Sequence, residues 1–396
     1  MKVLLLHQHF NTPQKGGPIR SYYLAKALVD KGITVTVITA HSEKTYRQEN
    51  VEGIDVHYLP VAYNNRFGFY KRGFSFSQFV TGAINLSAKF KDYDLCYAIS
   101  VPLTVGIAAL WIQRLYKIPF VFEVGDLWPD APVQLGFIKN KLLQHALYMQ
   151  EKRIYKKSAA IVALSPAIQQ AIAEKVKNKT IRMLPNMADT DFYMPGPKNE
   201  SLIKQFNVEG KFVVSYIGAT GFANGLDYFL ECASATQRAE LPIQFFICGD
   251  GAMLSGLKQS ASQLDLKNLA FLPFQNREGV KQLIGITDAS FICYRPVKIL
   301  ETGSPNKYFD SLAAGKLTII NFAGWIKEEI EKEQCGIYLD PNQPTEFVKK
   351  ITTFLHDLNV LRSYQQSARD LAEKRYSRRL LSSQFCNFIN DFRRAL

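Results

Sequence analysis

Short aliphatic runs recur along this chain, spaced so that one helix fits between most neighbours, and this alternation restricts the fold more than any other feature. Residues 3–6, 34–38, 56–60, 95–99, 120–124 and 160–164 are apolar runs bounded by turn residues, the signature of strands buried on both faces. Between them, residues 18–30, 103–116 and 141–157 carry apolar residues at helical spacing. Regular β-α-β order predicts a parallel sheet covered on both sides. The pattern restarts after a Pro/Gly-rich passage at residues 185–197, with strands expected at 212–217, 243–248, 269–272, 289–294 and 317–321 and helices at 225–235, 305–314 and 345–355. The reading is α/β: two Rossmann-like, doubly wound domains of residues 1–190 and 191–377, joined near residue 190 and facing across a cleft. At 396 residues the chain is long enough for two cores.

Charge narrows the partners. The net charge of +13 lies almost wholly in the first half, where residues 1–185 hold 24 Lys/Arg against 12 Asp/Glu. Such asymmetry points to an anionic partner: a membrane surface, a phosphorylated substrate or nucleic acid. No helix-turn-helix, zinc finger or RNA-binding signature supports nucleic acid. The six cysteines never approach within a C-x-x-C spacing, which argues for buried thiols in a reducing compartment rather than zinc or disulfides. The longest apolar stretch, residues 98–112, is too short to span a bilayer, and residues 3–6 are too few for a signal-peptide core. A cytoplasmic protein, peripheral on the cytoplasmic face of a membrane, is the expectation.

Several stretches carry chemistry. Gly16 and Gly17 open a helix after the first strand, where backbone amides can approach an anion, and Arg20 follows one turn later, as a phosphate contact or a surface charge. Glu123, Asp126 and Asp130 crowd the carboxyl end of a buried strand; Asp126, then Glu123, is expected to face the cleft and act on an acceptor hydroxyl. The run Thr302-Gly303-Ser304-Pro305-Asn306-Lys307 suits a helix start, where free amides and the Lys307 ammonium can hold a diphosphate. Asp310, one turn beyond Asn306, can accept hydrogen bonds from ribose hydroxyls. Glycine turns at Gly218 and Gly249 follow two further strands, and His7 and His9 stand at the end of the first. Last, residues 63–91 interleave Arg66, Lys71 and Arg72 with Phe67, Phe69, Tyr70, Phe74 and Phe76, the composition of an interfacial membrane patch or of packed aromatics with a charged rim. A second basic cluster is Lys152, Arg153, Lys156 and Lys157.

Taken together, "GGPIRSYYLAKALVDKGITVTVIT", "FEVGDLWPDAPVQLGFIKNK", "LSPAI", "LPNMADTDFY" and "SPNKYFDSLAAGK" resemble glycosyltransferase family 4, the retaining sugar-nucleotide transferases of GT-B fold, over the whole chain. The "DLWP" and "PNK" pair is similar to the WbuB-like bacterial enzymes of surface-polysaccharide assembly. The resemblance implies a nucleoside-diphosphate sugar, with UDP expected, bound by the C-terminal half, and a lipid-linked saccharide acceptor held by the N-terminal half. It implies no required metal or other cofactor, and a final helix at 378–396 returning to the first domain. Many relatives carry Glu-x7-Glu; here Thr302 stands eight positions before Asp310 and Glu301 is one residue out of register. The sugar contact then falls to Glu301, Thr302 or the Gly303 and Ser304 amides. The usual basic pair after the first C-terminal strand is missing, so Lys307 carries more of the diphosphate charge, helped by Arg277 or Arg295. A sugar-nucleotide epimerase or a non-catalytic assembly subunit are the alternative readings.

Overall fold

Runs such as Val3–Leu6 and Val213–Tyr216 have no polar face, so they are stable only where helices cover both sides of a sheet. The computed structural model describes residues 1–395 apart from 18, 65 and 66, so Pro18 and Arg66, expected in the first helix and the basic aromatic stretch, lie outside the described residues, as does Leu396. Two units are formed: residues 1–185, 302–304 and 379–396 make the first, and residues 186–301 and 305–378 the second.

In the first unit the strands are β1 (Lys2–Leu6), β2 (Thr34–His41), β3 (Arg47–Val51), β4 (Ile54–Pro60), β5 (Leu95–Ile99), β6 (Phe120–Val124), β7 (Ala160–Ala163) and β8 (Ile181–Met183). They lie in the order β3-β4-β2-β1-β5-β6-β7-β8, parallel except for the β3–β4 pair. β3 is a charged edge strand that the aliphatic pattern does not reveal; its charged residues discourage pairing with other chains.

The second unit holds β9 (Phe212–Ile217), β10 (Ile243–Cys248), β11 (Leu269–Leu272), β12 (Ala289–Ile292), β13 (Leu317–Ile320) and β14 (Gly336–Tyr338), all parallel, in the order β11-β10-β9-β12-β13-β14. Numbered within the unit this is 3-2-1-4-5-6, the Rossmann order, whose switch point lies between β9 and β12. Alternate residues feed two cores: Val214, Tyr216, Phe245 and Ile247 pack with Phe229, Phe291 and Phe347 on one face, while Val213, Phe246 and Cys248 meet Leu283 and Ile286 on the other. All six cysteines are buried free thiols.

The stretch read as an interfacial patch forms a helix, Phe69–Ser87, not anticipated from the sequence. Its inner side, Phe79, Val80 and Ala83, is buried. At its start Tyr70 and Phe74 are exposed, at 89% and 64% of their surface, and Tyr63 stacks on Phe76. The packed-aromatic reading thus describes Phe79 and Phe76, while Tyr70 and Phe74 are left on the surface.

The last helix, Arg378–Ala395, packs with the first unit from residue 379 onward. Its buried Phe385 meets Tyr97 edge-on at 5.0 Å. Tyr97 in turn donates its hydroxyl to Glu123, whose carboxylate receives Arg20 in a two-pronged ion pair at 3.0 and 3.1 Å. Arg20 also donates to the Leu184 carbonyl at 2.9 Å and to that of Pro185. This corrects the expectations for both residues. The Arg20 guanidinium and the Glu123 carboxylate are each other's partners, both under 10% exposed, so neither is set to meet a phosphate or an acceptor hydroxyl. Replacing Arg20 by Ala leaves the Glu123 carboxylate buried without its cation, and a loss of about 3–5 kcal/mol is expected in urea unfolding; Lys26→Ala, on an exposed face of the same helix, is expected to change stability by under about 0.5 kcal/mol.

Candidate functional site

At the carboxyl end of β9 the chain turns through Gly218 (φ 146°), and β10 ends in a second turn at Gly249 (φ 149°). The two turns are laced together: Gly218 N donates to the Cys248 carbonyl at 2.9 Å and Thr220 N to that of Asp250 at 3.0 Å. A side chain at Gly249 would overlap the Gly218 carbonyl oxygen, and one at Gly251 would come within 2.6 Å of the Thr220 carbonyl oxygen. Only glycine permits this approach.

Lys307 reaches the same place from the first turn of the Asn306–Ala313 helix, which no side chain caps. Its Cε and Nζ lie 3.3 Å from where a Gly218 Cβ would stand. The Nζ donates to the Tyr216 hydroxyl at 2.8 Å, and that hydroxyl donates onward to the Ala219 carbonyl at 2.6 Å. Among the described residues no carboxylate pairs with the ammonium, and burial pulls its pKa down to about 8. A cation that donates to a phenol beside a glycine turn, with no carboxylate partner among the described residues, is electrostatically prepared for an anion. Tyr216, the residue that positions it, was missed by sequence reasoning; its one visible sign is a phenol closing an otherwise mostly aliphatic strand.

Asp310, on the same helix, is pushed up to about 7, mainly by burial, with the Asp189 charge adding to the effect and Arg277 opposing it. Asn306 is exposed at the helix start. Arg277, expected to assist a diphosphate, instead pairs with Asp189 and lies 3.7 Å over the Phe192 ring. Arg295 is likewise occupied: it donates to the Phe222 carbonyl at 2.8 Å, covers the Phe222 ring at 4.0 Å and stands 3.7 Å from Asp227. Glu301 pairs with the exposed Lys298 at 2.7 Å. Thr302, Gly303 and Ser304 cluster with the first unit, where Ser165 Oγ donates to the Thr302 carbonyl at 2.6 Å, although their neighbours on both sides belong to the second. The structure thus brings Gly218, Gly249, Lys307 and Asp310 to the carboxyl edge of one sheet and commits Arg277, Arg295 and Glu301 to other partners.

In the first unit the carboxyl ends of β1 and β6 carry the remaining candidates. Gly16 and Gly17 both adopt positive φ (71° and 77°) ahead of the Arg20–Asp30 helix. Asp126 stands exposed in the turn that follows β6. His7 and His9 are held neutral, burial drawing their pKa values down to about 3 and about 4. His7 Nδ1 lies 2.8 Å from Ser21 Oγ, and the His9 ring packs 4.5 Å from that of Tyr63. These imidazoles offer hydrogen bonds without charge.

Residues 16–187 match the model of a glycosyl transferase 4-like domain, and residues 198–371 that of glycosyl transferases group 1. The chain is 21% identical over 283 residues to the putative colanic acid biosynthesis glycosyl transferase WcaI of Escherichia coli K12, spanning 69% of this chain and 67% of that one. Among solved structures it is similar to a sucrose-phosphate synthase from Thermosynechococcus elongatus (TM-score 0.80, 15% identity, 100% of both chains). It is also similar to Anabaena Alr3699/HepE in complex with UDP-glucose (TM-score 0.75, 16% identity, 99% of this chain and 100% of that one). The fold is GT-B.

The glycine lacing can be tested directly. Gly249→Ala forces a Cβ onto the Gly218 carbonyl from a backbone angle that side chains rarely adopt, and a loss of about 2 kcal/mol or more is expected by thermal unfolding. Gly256→Ala, a helical site with open space around it, is expected instead to stabilise by about 0.5–1 kcal/mol.

Proposed function

We propose that this chain, which belongs to the glycosyltransferases of GT-B fold, moves a sugar from a nucleoside diphosphate, UDP above all, to a hydroxyl of a lipid-linked saccharide with retention of configuration. The observation that carries the reading is the Lys307 ammonium, paired with no carboxylate among the described residues and set against the glycine turn of β9 at the Rossmann switch point. There it would face the diphosphate as the sugar departs and the leaving group gains charge, with the first-turn amides of its helix beside it. Tyr216 acts as the positioning residue. Asp310 would accept from ribose hydroxyls. In the first unit Asp126 would orient the acceptor hydroxyl, and the Gly16–Gly17 amides would meet acceptor oxygens. We read the diphosphate charge as neutralised by these groups without a metal ion.

The exposed start of the Phe69–Ser87 helix supports a membrane-borne acceptor. Tyr70 and Phe74 project beside Lys71, whose ammonium lies 4.1 Å over the Phe67 ring, an apolar and basic mixture suited to an anionic lipid surface. No helix among the described residues is long and apolar enough to cross a membrane. The distant WcaI relative, named for colanic acid biosynthesis, supports a role in surface-polysaccharide assembly.

The deciding experiment measures UDP release from UDP-sugars with and without a membrane lipid extract. Release that depends on the extract, with sugar appearing in the lipid fraction, supports transfer; donor consumption without extract favours an epimerase, and no consumption a non-catalytic subunit. Lys307→Ala is expected to lower turnover at least tenfold with the fold intact. If both the ionised Asp310 and the charged Lys307 are needed, kcat/KM rises with pH through about 7 and falls again through about 8. Lys307→Arg would move the falling limb upward. Tyr70→Ser combined with Phe74→Ser is expected to weaken binding to vesicles containing phosphatidylglycerol about tenfold without changing the melting temperature.

A further inference from the structure

The second basic cluster of the sequence takes part in none of the chemistry above, yet two of its members, Lys152 and Lys156, line a concavity together with lysines of the next helix end. The Lys141–Lys157 helix ends where β7 begins, and the Pro166–Lys175 helix turns through Asn178 (φ 56°) toward β8. Between these two chain reversals lies a hollow of about 560 Å³, lined by Lys152, Lys156, Lys175, Lys177 and Lys179 with Glu174 as its one acid. Two of the lysines are accounted for. Lys175 is held by Asp130 at 2.5 Å and Glu151 at 2.8 Å. Lys179 donates to the carbonyls of Lys156 and Ser158 at the helix end. The ammonium groups of Lys152, Lys156 and Lys177 make no hydrogen bond or ion pair among the described residues. Glu174 already accepts from Gln170 at 3.2 Å.

Three like charges around one concavity repel each other unless an anion comes between them. The hollow sits at the amino ends of β7 and β8, whereas Asp126 and Gly16–Gly17 follow the carboxyl ends of β6 and β1. In a parallel sheet these are opposite edges, so the hollow is not part of the acceptor-binding edge. We propose that it is a separate binding site for a ligand bearing two or more phosphate charges, recognised by Lys152, Lys156 and Lys177. The same chemistry is offered by a soluble multiply phosphorylated metabolite and by neighbouring headgroups of an anionic phospholipid surface.

The test titrates inorganic pyrophosphate calorimetrically into the full chain at low ionic strength, where charge interactions are least screened. The triple variant Lys152→Gln/Lys156→Gln/Lys177→Gln is expected to lose at least tenfold in affinity at one site, and Lys307→Ala to leave that site untouched. Glu174→Gln is expected to tighten it two- to threefold. Unchanged binding in the triple variant, or no pyrophosphate site that survives Lys307→Ala, overturns the proposal; loss of transfer activity in Lys307→Ala alone speaks only to the donor site. A second arm compares sedimentation of wild type and triple variant with phosphatidylglycerol and phosphatidylcholine vesicles. A lysine-dependent difference on phosphatidylglycerol assigns the site to a lipid headgroup, and equal sedimentation alongside lysine-dependent pyrophosphate binding assigns it to a soluble ligand.

Discussion

A parallel sheet clad on both faces leaves polar side chains one place to act, the ends of its strands. Each unit of this chain obeys that constraint. Along β9 and β10 the apolar residues before the turn feed one of two cores, and the chain leaves both at Gly218 and Gly249. The same holds along β1 and β6, where Leu6 and Val124 are the last fully buried aliphatics before His7 and the Gly125–Asp126 turn. The site is therefore a product of the topology: the Rossmann order opens a crevice between β9 and β12, and Lys307 is carried to it by the helix that follows.

Two cations show opposite uses of charge. Arg20 is saturated by a carboxylate and two carbonyls, which fastens the first helix to β6 and to the end of β8. Such a pair resists disruption but has nothing left to offer a ligand. Lys307 is half-buried and, among the described residues, donates to a phenol and pairs with no carboxylate, and desolvation weakens its hold on its proton. The first arrangement belongs to the fold and the second to reactivity. The difference lies in whether a carboxylate is paired with the cation.

Most of the architecture was legible because its strands are aliphatic. Residues 95–99, 120–124, 212–217, 243–248 and 269–272 were delimited as they fold. Among what escaped, β3 is charged, β8 and β14 are three residues each, and the Phe69–Ser87 helix was masked by its aromatics; the Pro166–Lys175, Leu254–Gln263, Arg277–Ile286 and Leu358–Leu371 helices were not delimited either. At the site, the glycine turns and Lys307 could be placed by their position after strands and at a helix start. The partners could not. Arg20 and Glu123 are 103 residues apart, Lys307 and Tyr216 are 91, and Arg277 and Asp189 are 88. Nothing local in a sequence distinguishes an arginine waiting for phosphate from one already matched with a carboxylate.

The path of the backbone has a consequence for how such a molecule can be divided. The first unit is assembled from residues 1–185, from the tripeptide 302–304 and from the closing helix, so the polypeptide passes between the units four times. No single nick frees either half, and no contiguous gene fragment encodes one. A hybrid made by exchanging halves at the passage after Pro185 would import a foreign last helix, and Phe385 would have to find a Tyr97 already shaped to receive it. Recombination between relatives is thus constrained at the tail as much as at the middle.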